Sequence, residues 1–78
     1  MKTMTCKQLG GACEKQFHAN SFDEMAELSK QHGMEMFKQN DEAHLSAMKA
    51  MQDLMQNAEK MREWFDRKKA EFEALPED

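Results

Sequence analysis

The chain has 78 residues, 40% of them apolar and 33% charged, with 15 acidic against 11 basic side chains and a net charge of −4. One domain of this size buries only about 60% of its unfolded surface, so a metal, a disulfide or a partner is a common supplement to so small a core. The acidic balance argues against nucleic-acid binding, which needs a basic surface to release counterions, and against a polybasic membrane contact. No apolar run approaches the roughly 20 residues of a membrane span, and no signal-peptide stretch follows Met1–Thr5, which points to a cytoplasmic protein. Two cysteines in such a compartment are expected as reduced thiols: buried apolar residues, metal ligands or a redox pair.

Residues 1–20 read as a β-hairpin, because Gly10-Gly11 supplies the positive φ angles of a tight turn between two short extended runs. A two-residue turn pairs Leu9 with Ala12, Gln8 with Cys13 and Cys6 with Lys15. Side chains alternate with period two, so Cys6 and Cys13 share a face with Met4 and Phe17, while Glu14, Gln16 and His18 point the other way.

Helix follows. Ser21 with Glu24 forms a capping-box signature, and Phe22, Met25, Ala26, Ser29, His32, Gly33, Met36 and Phe37 recur as the buried stripe of an amphipathic helix over 21–39. Gln39-Asn40-Asp41 interrupts it, and Asn40 or Asp41 can cap the next element. Leu45, Met48, Met51, Leu54, Met55, Ala58, Met61, Phe65, Phe72 and Leu75 form a second stripe that ends at Pro76. A single rod from Asp41 to Leu75 would be about 50 Å long. A break near Gln56-Asn57, with Asn57 as cap, is the favoured reading and gives helices over 41–56 and 58–75; pairing of an unbroken rod with another chain is the other. The expected fold is therefore a small single α+β domain, residues 1–78, with an N-terminal β-hairpin followed by two or three α-helices.

Cys6, Cys13 and His32 are the residues with chemistry to weigh. Two thiols on a hairpin and an imidazole on the next helix follow the layout of a ββα zinc unit, since thiolate and imidazole suit a tetrahedral d¹⁰ ion. The six-residue gap between the cysteines is wider than in zinc fingers, and a closed structural site needs a fourth ligand. The competing reading is two small buried thiols with a hydrogen-bonded core histidine. A reversible Cys6–Cys13 disulfide is a further alternative if the two α-carbons approach within about 7 Å.

Cys6-Lys7-Gln8-Leu9-Gly10, then Cys13, then an acidic helix reaching His32, resembles the small bacterial and archaeal family of predicted small metal-binding proteins (domain-of-unknown-function family 1059). The resemblance covers roughly residues 2–37. The family pattern is Cys-Arg-Asp-x-Gly, a second Cys, and a His-x-x-x-His pair on the following helix. Cys6, Leu9, Gly10, Cys13 and His32 match it, including the nineteen-residue step from Cys13 to His32. Lys7 stands for the arginine, Gln8 for the aspartate and Met36 for the second histidine.

The resemblance implies metal binding, with Cys6, Cys13, His32 and Met36 as the candidate set. A thioether at Met36 suits copper(I), whereas Glu35, His18 or His44 would complete a zinc site. Glu35 lies beside the stripe, His18 faces away from the thiols, and His44 would need the second helix to fold back over the hairpin. The expected function is a small non-enzymatic protein holding zinc or copper. A metal-free helical interaction or self-assembly module, using a Met-rich face as homodimer or partner surface, is the alternative. Met48, Met51 and Met55 read first as core packing, and Trp64 as an interface anchor. No Ser/His/Asp arrangement, phosphate-binding glycine loop or metalloprotease helix is present, so no catalytic set is expected.

Overall fold

The computed structural model describes residues 1–77 and shows the α+β arrangement expected from the sequence. Strands β1 (Lys2–Thr5) and β2 (Gln16–Ala19) form an antiparallel pair, followed by helices α1 (Phe22–Lys38), α2 (Glu42–Met55) and α3 (Ala58–Ala74). The register pairs Lys2 with Ala19, Thr3 with His18, Met4 with Phe17 and Thr5 with Gln16, which is the register a turn centred on Gly10-Gly11 implies.

The turn itself differs from the expectation. Leu9 does not pair with Ala12, because the chain leaves the ladder after Thr5 and makes a 3-10 turn over Lys7–Leu9. Thr5 and Gln8 cause the departure. The Gln8 amide oxygen accepts from the Thr5 backbone N–H at 2.7 Å, and the Thr5 hydroxyl accepts from the Gln8 backbone N–H at 3.1 Å. This reciprocal exchange is the logic of a capping box applied to a single turn. Gly10 closes the turn with φ of +93°, a left-handed conformation that costs glycine little, and donates to the Lys7 carbonyl. Leu9 is thereby turned into the core instead of lying along a strand.

Helix boundaries follow local chemistry. Ser21, Asp41 and Asn57 each accept, through their side-chain oxygens, a backbone N–H from three residues on: Glu24 at 3.2 Å, His44 at 3.0 Å and Lys60 at 3.0 Å. Between α1 and α2, Asn40 takes a positive φ of 56°, its N–H donates to the Phe37 carbonyl, and the Asp41 N–H donates to the Met36 carbonyl. That pair of bonds is a Schellman motif, which ends α1 and turns the chain back on itself. The second helical stretch breaks at Gln56-Asn57, as the favoured reading has it.

The core is Met4, Cys6, Leu9, Phe17, Ala19, Phe22, Met25 and Phe72, with Cys13, Leu28 and Leu75 against it. Phe22 meets Phe65 and Phe72 edge-on, with ring centroids 5.1 and 5.9 Å away. The end of α3 thus covers the hairpin. The Lys2 ammonium reaches the Glu73 carbonyl at 2.8 Å and lies over the Phe72 ring. Helix α2 contributes no buried apolar residue; its one buried side chain is His44. No helix among the described residues is long and apolar enough to cross a membrane.

Candidate metal centre

Four side chains from four parts of the chain converge between the hairpin and the first two helices. Cys6 stands just beyond β1, at the entrance to the 3-10 turn, and Cys13 lies in the loop that returns to β2. His32 projects from the buried stripe of α1, and His44 from the first turn of α2. Their ligand atoms all lie within 4.8 Å of one another. Cys6 Sγ is 3.6 Å from His44 Nε2, and Cys13 Sγ is 3.3 Å from His32 Nε2. Cys6, His32 and His44 are only 3%, 6% and 6% exposed, and both thiols are free. Two thiols and two imidazoles at this spacing can hold a metal ion.

Local structure prepares each donor. Cys6 sits in a loop whose backbone folds around its sulfur: the Cys6 N–H donates to the Lys15 carbonyl, the Lys7 N–H to the Cys13 carbonyl, and the Gly11 N–H to the Cys6 carbonyl. A β-carbon on Gly11 would overlap Cys6 Sγ outright and stand 3.0 Å from the Cys6 carbonyl oxygen, so the site depends on the absence of a side chain there. His44 is aimed by Asp41, whose Oδ2 both caps α2 at the His44 N–H and accepts from the imidazole Nδ1. This leaves Nε2 free to face the thiols. A carboxylate behind a ligating histidine fixes the tautomer and raises donor strength. His32 has no equivalent partner, and its Nδ1 is buried without a hydrogen bond. Its ring is held by edge contacts with Phe17 at 5.5 Å and with His44 at 5.2 Å.

These surroundings split the titrations in opposite directions. Burial pushes the Cys6 thiol up, against the lowering pull of the Cys13 and Ala12 backbone N–H groups. At Cys13 burial also acts upward, but the Lys15 backbone N–H, His44 and Cys6 together outweigh it and bring the thiol below its usual value. The Asp41 hydrogen bond raises His44 despite burial, whereas burial, assisted by the charges of His44 and Lys15, lowers His32.

Cys6, Cys13 and His32 are thus brought together as the sequence suggests. The cysteines converge through the irregular loop instead of along one face of a regular hairpin. The remaining Cys/His donor in the group is His44, because the Schellman turn at Asn40 folds α2 back over the hairpin. Met36 lies one turn beyond His32 and is half-buried. The signal for His44 is the Asp41-x-x-His44 spacing, in which the capping oxygen lies within reach of the imidazole. His18 is exposed on the outer strand face, where its Nδ1 meets the Thr3 hydroxyl at 2.8 Å, and Glu35 is exposed outside the group.

In comparisons with known proteins the chain matches no family model, and no curated protein or solved structure is significantly similar to it. The reading of the site rests on its own geometry.

Proposed function

We propose that this protein is a small non-enzymatic metal-binding module that holds one zinc ion through Cys6, Cys13, His32 and His44. The observation that carries the reading is the mutual approach of all four donor atoms within 4.8 Å. Around a tetrahedral zinc, bonds of about 2.3 Å to sulfur and 2.0–2.1 Å to nitrogen put neighbouring sulfur and nitrogen about 3.5 Å apart. The two sulfur–nitrogen separations, 3.6 and 3.3 Å, fit that figure. The Asp41 carboxylate behind His44 is the outer partner such ligands commonly have.

Zinc is favoured over copper(I) by the donor set, since two thiolates and two imidazoles complete a closed tetrahedron without a thioether. The ion would tie the hairpin loop to α1 and α2. A closed set leaves no open position for substrate, which is the expectation for a structural centre.

The test is elemental analysis of protein purified without added metal, followed by cobalt(II) substitution read through its thiolate charge-transfer and ligand-field bands. One equivalent of zinc and a tetrahedral cobalt spectrum are expected. His44→Ala should abolish both, and Met36→Leu should leave them intact. Metal well below one equivalent after zinc reconstitution, or a site lost in Met36→Leu and kept in His44→Ala, refutes the assignment.

A further inference from the structure

Beside the Cys/His cluster lies an open cavity of about 500 Å³ bordered by α1, α2, the first half of α3 and the hairpin loop at Cys6 and Leu9–Gly11. Its walls are thioether and aromatic, with Met48, Met51 and Met55 on one side and Trp64 and Phe65 on another. A second hollow of about 350 Å³ adjoins it along α1, bounded by Met34, Phe37 and Lys38. Both are bordered by Lys30, Gly33 and Met48, so together they form one apolar trench. Gly33 marks the junction. A β-carbon there would stand 3.5 Å from Met48 Cε, an ordinary contact, so a side chain at this position starts without a clash and points into the narrow part of the trench.

The charges around this trench run against those of the chain. The protein has 15 acidic and 11 basic residues, yet no carboxylate borders either hollow. Lys30 and Lys38 are the charged groups that do, apart from His44 in the wall it shares with the metal centre. An apolar volume in the roughly 300–1,000 Å³ range of small-molecule pockets, edged by ammonium groups and free of carboxylates, is complementary to a molecule with an apolar chain and an anionic head. Methionine walls suit a flexible chain, because unbranched thioethers repack around it at little cost.

We propose that this trench binds a free fatty acid, with the alkyl chain along Met48, Met51 and Met55 toward Trp64 and the carboxylate at Lys30. The proposal does not depend on which metal, if any, the neighbouring centre holds.

Trp64 is the protein's one tryptophan and stands in the trench wall, so its fluorescence reports occupancy directly. The probe is dodecanoate below its micelle concentration, alongside a tail-brominated dodecanoate that quenches a nearby indole. Saturable quenching at one equivalent per chain is expected. Binding should be at least tenfold weaker for dodecanol and for dodecyltrimethylammonium. Lys30→Glu should weaken dodecanoate at least tenfold and leave dodecanol unchanged. Gly33→Leu should weaken both, with its helical circular dichroism intact. No saturable quenching, or equal affinity for the three head groups, overturns the proposal. So does sedimentation showing a dimer that excludes dodecanoate, which would assign the trench to a second copy. Binding to phosphatidylglycerol vesicles without binding of monomeric dodecanoate overturns it in favour of a lipid surface.

Discussion

Gly11→Ala is the most discriminating perturbation of the metal centre, because it adds one methyl group and removes no ligand. The new β-carbon would fall on Cys6 Sγ, so the sulfur must retreat by about 1 Å or more to reach a tolerable contact. The Cys6 carbonyl, 3.0 Å from the same position and bonded to the Gly11 N–H at 2.8 Å, prevents the loop from simply backing away. Metal–ligand distances tolerate only about ±0.2 Å, so one of the two thiolates leaves the coordination sphere.

Loss of an outer partner alone costs about 10–100-fold in metal affinity, and displacement of a ligand should cost at least the upper figure. A 100-fold loss removes about 2.7 kcal/mol of metal-linked stability. For a domain of this length that corresponds to a melting temperature lower by about 10–20 °C in saturating zinc. The assays are competition with a chromophoric chelator and thermal unfolding in zinc and in EDTA. Wild-type zinc affinity in Gly11→Ala refutes the reasoning. An equal fall in melting temperature in zinc and in EDTA also refutes it, because Gly11 would then serve packing and not the metal.

Three further outcomes follow from the same geometry. Asp41→Ser keeps a capping oxygen for α2 but loses the carboxylate on His44 Nδ1; zinc affinity should fall about tenfold by chelator competition, while in EDTA the loss of stability should be confined to pH values at which His44 is protonated. In EDTA, the raised His44 contributes stability below its unfolded value of 6.5 that is lost as pH rises through its folded pKa; the lowered His32 contributes above 6.5 and loses that as pH falls through its own. Urea midpoints from pH 2 to 8 should therefore peak near neutrality, with a further loss below about pH 4 as Asp41, held below the usual carboxylate value by His44, is protonated; a steady rise across the range contradicts this. Finally, EDTA should speed amide hydrogen exchange in α2 while β1, β2 and the end of α3 keep their protection, and uniform loss of protection would show that the centre does not anchor α2 in particular.

What could be read from the sequence is what local chemistry decides. Ser21, Asp41 and Asn57 mark helix starts because each cap is satisfied within three residues, and the Gly10-Gly11 pair sets the hairpin register. The path of residues 6–15 was not legible as a strand pair, because the Thr5–Gln8 exchange competes with the ladder and wins. The same exchange gives Gln8 a structural role. Three of the four candidate ligands could be found from spacing, since Cys6, Cys13 and His32 lie on elements that pack together directly. His44 stands out less in the sequence because its placement depends on the direction in which α2 leaves Asn40. A Gln-Asn-Asp run announces a break, but the angle of the break comes from bonds to the Met36 and Phe37 carbonyls. Met36 shares the helical face of His32, as its i+4 spacing requires, and is half-buried there.

The positions of the core and of the Cys/His cluster bear on what a bound metal would add to so small a chain. Apolar burial is concentrated where the hairpin, α1 and the end of α3 meet, around Met4, Phe17, Phe22, Met25 and Phe72. Helix α2 lies outside that cluster, and its methionines border the trench instead of filling it. A helix without a buried apolar side chain gains little from packing, and one of 14 residues is marginal on its own in water. His44 is the point at which α2 enters the interior, and a metal bond there would supply the anchorage that packing does not. On that reading the trench is the complement of the centre: a helix held by one ligand in its first turn would not need to close the apolar space beside it.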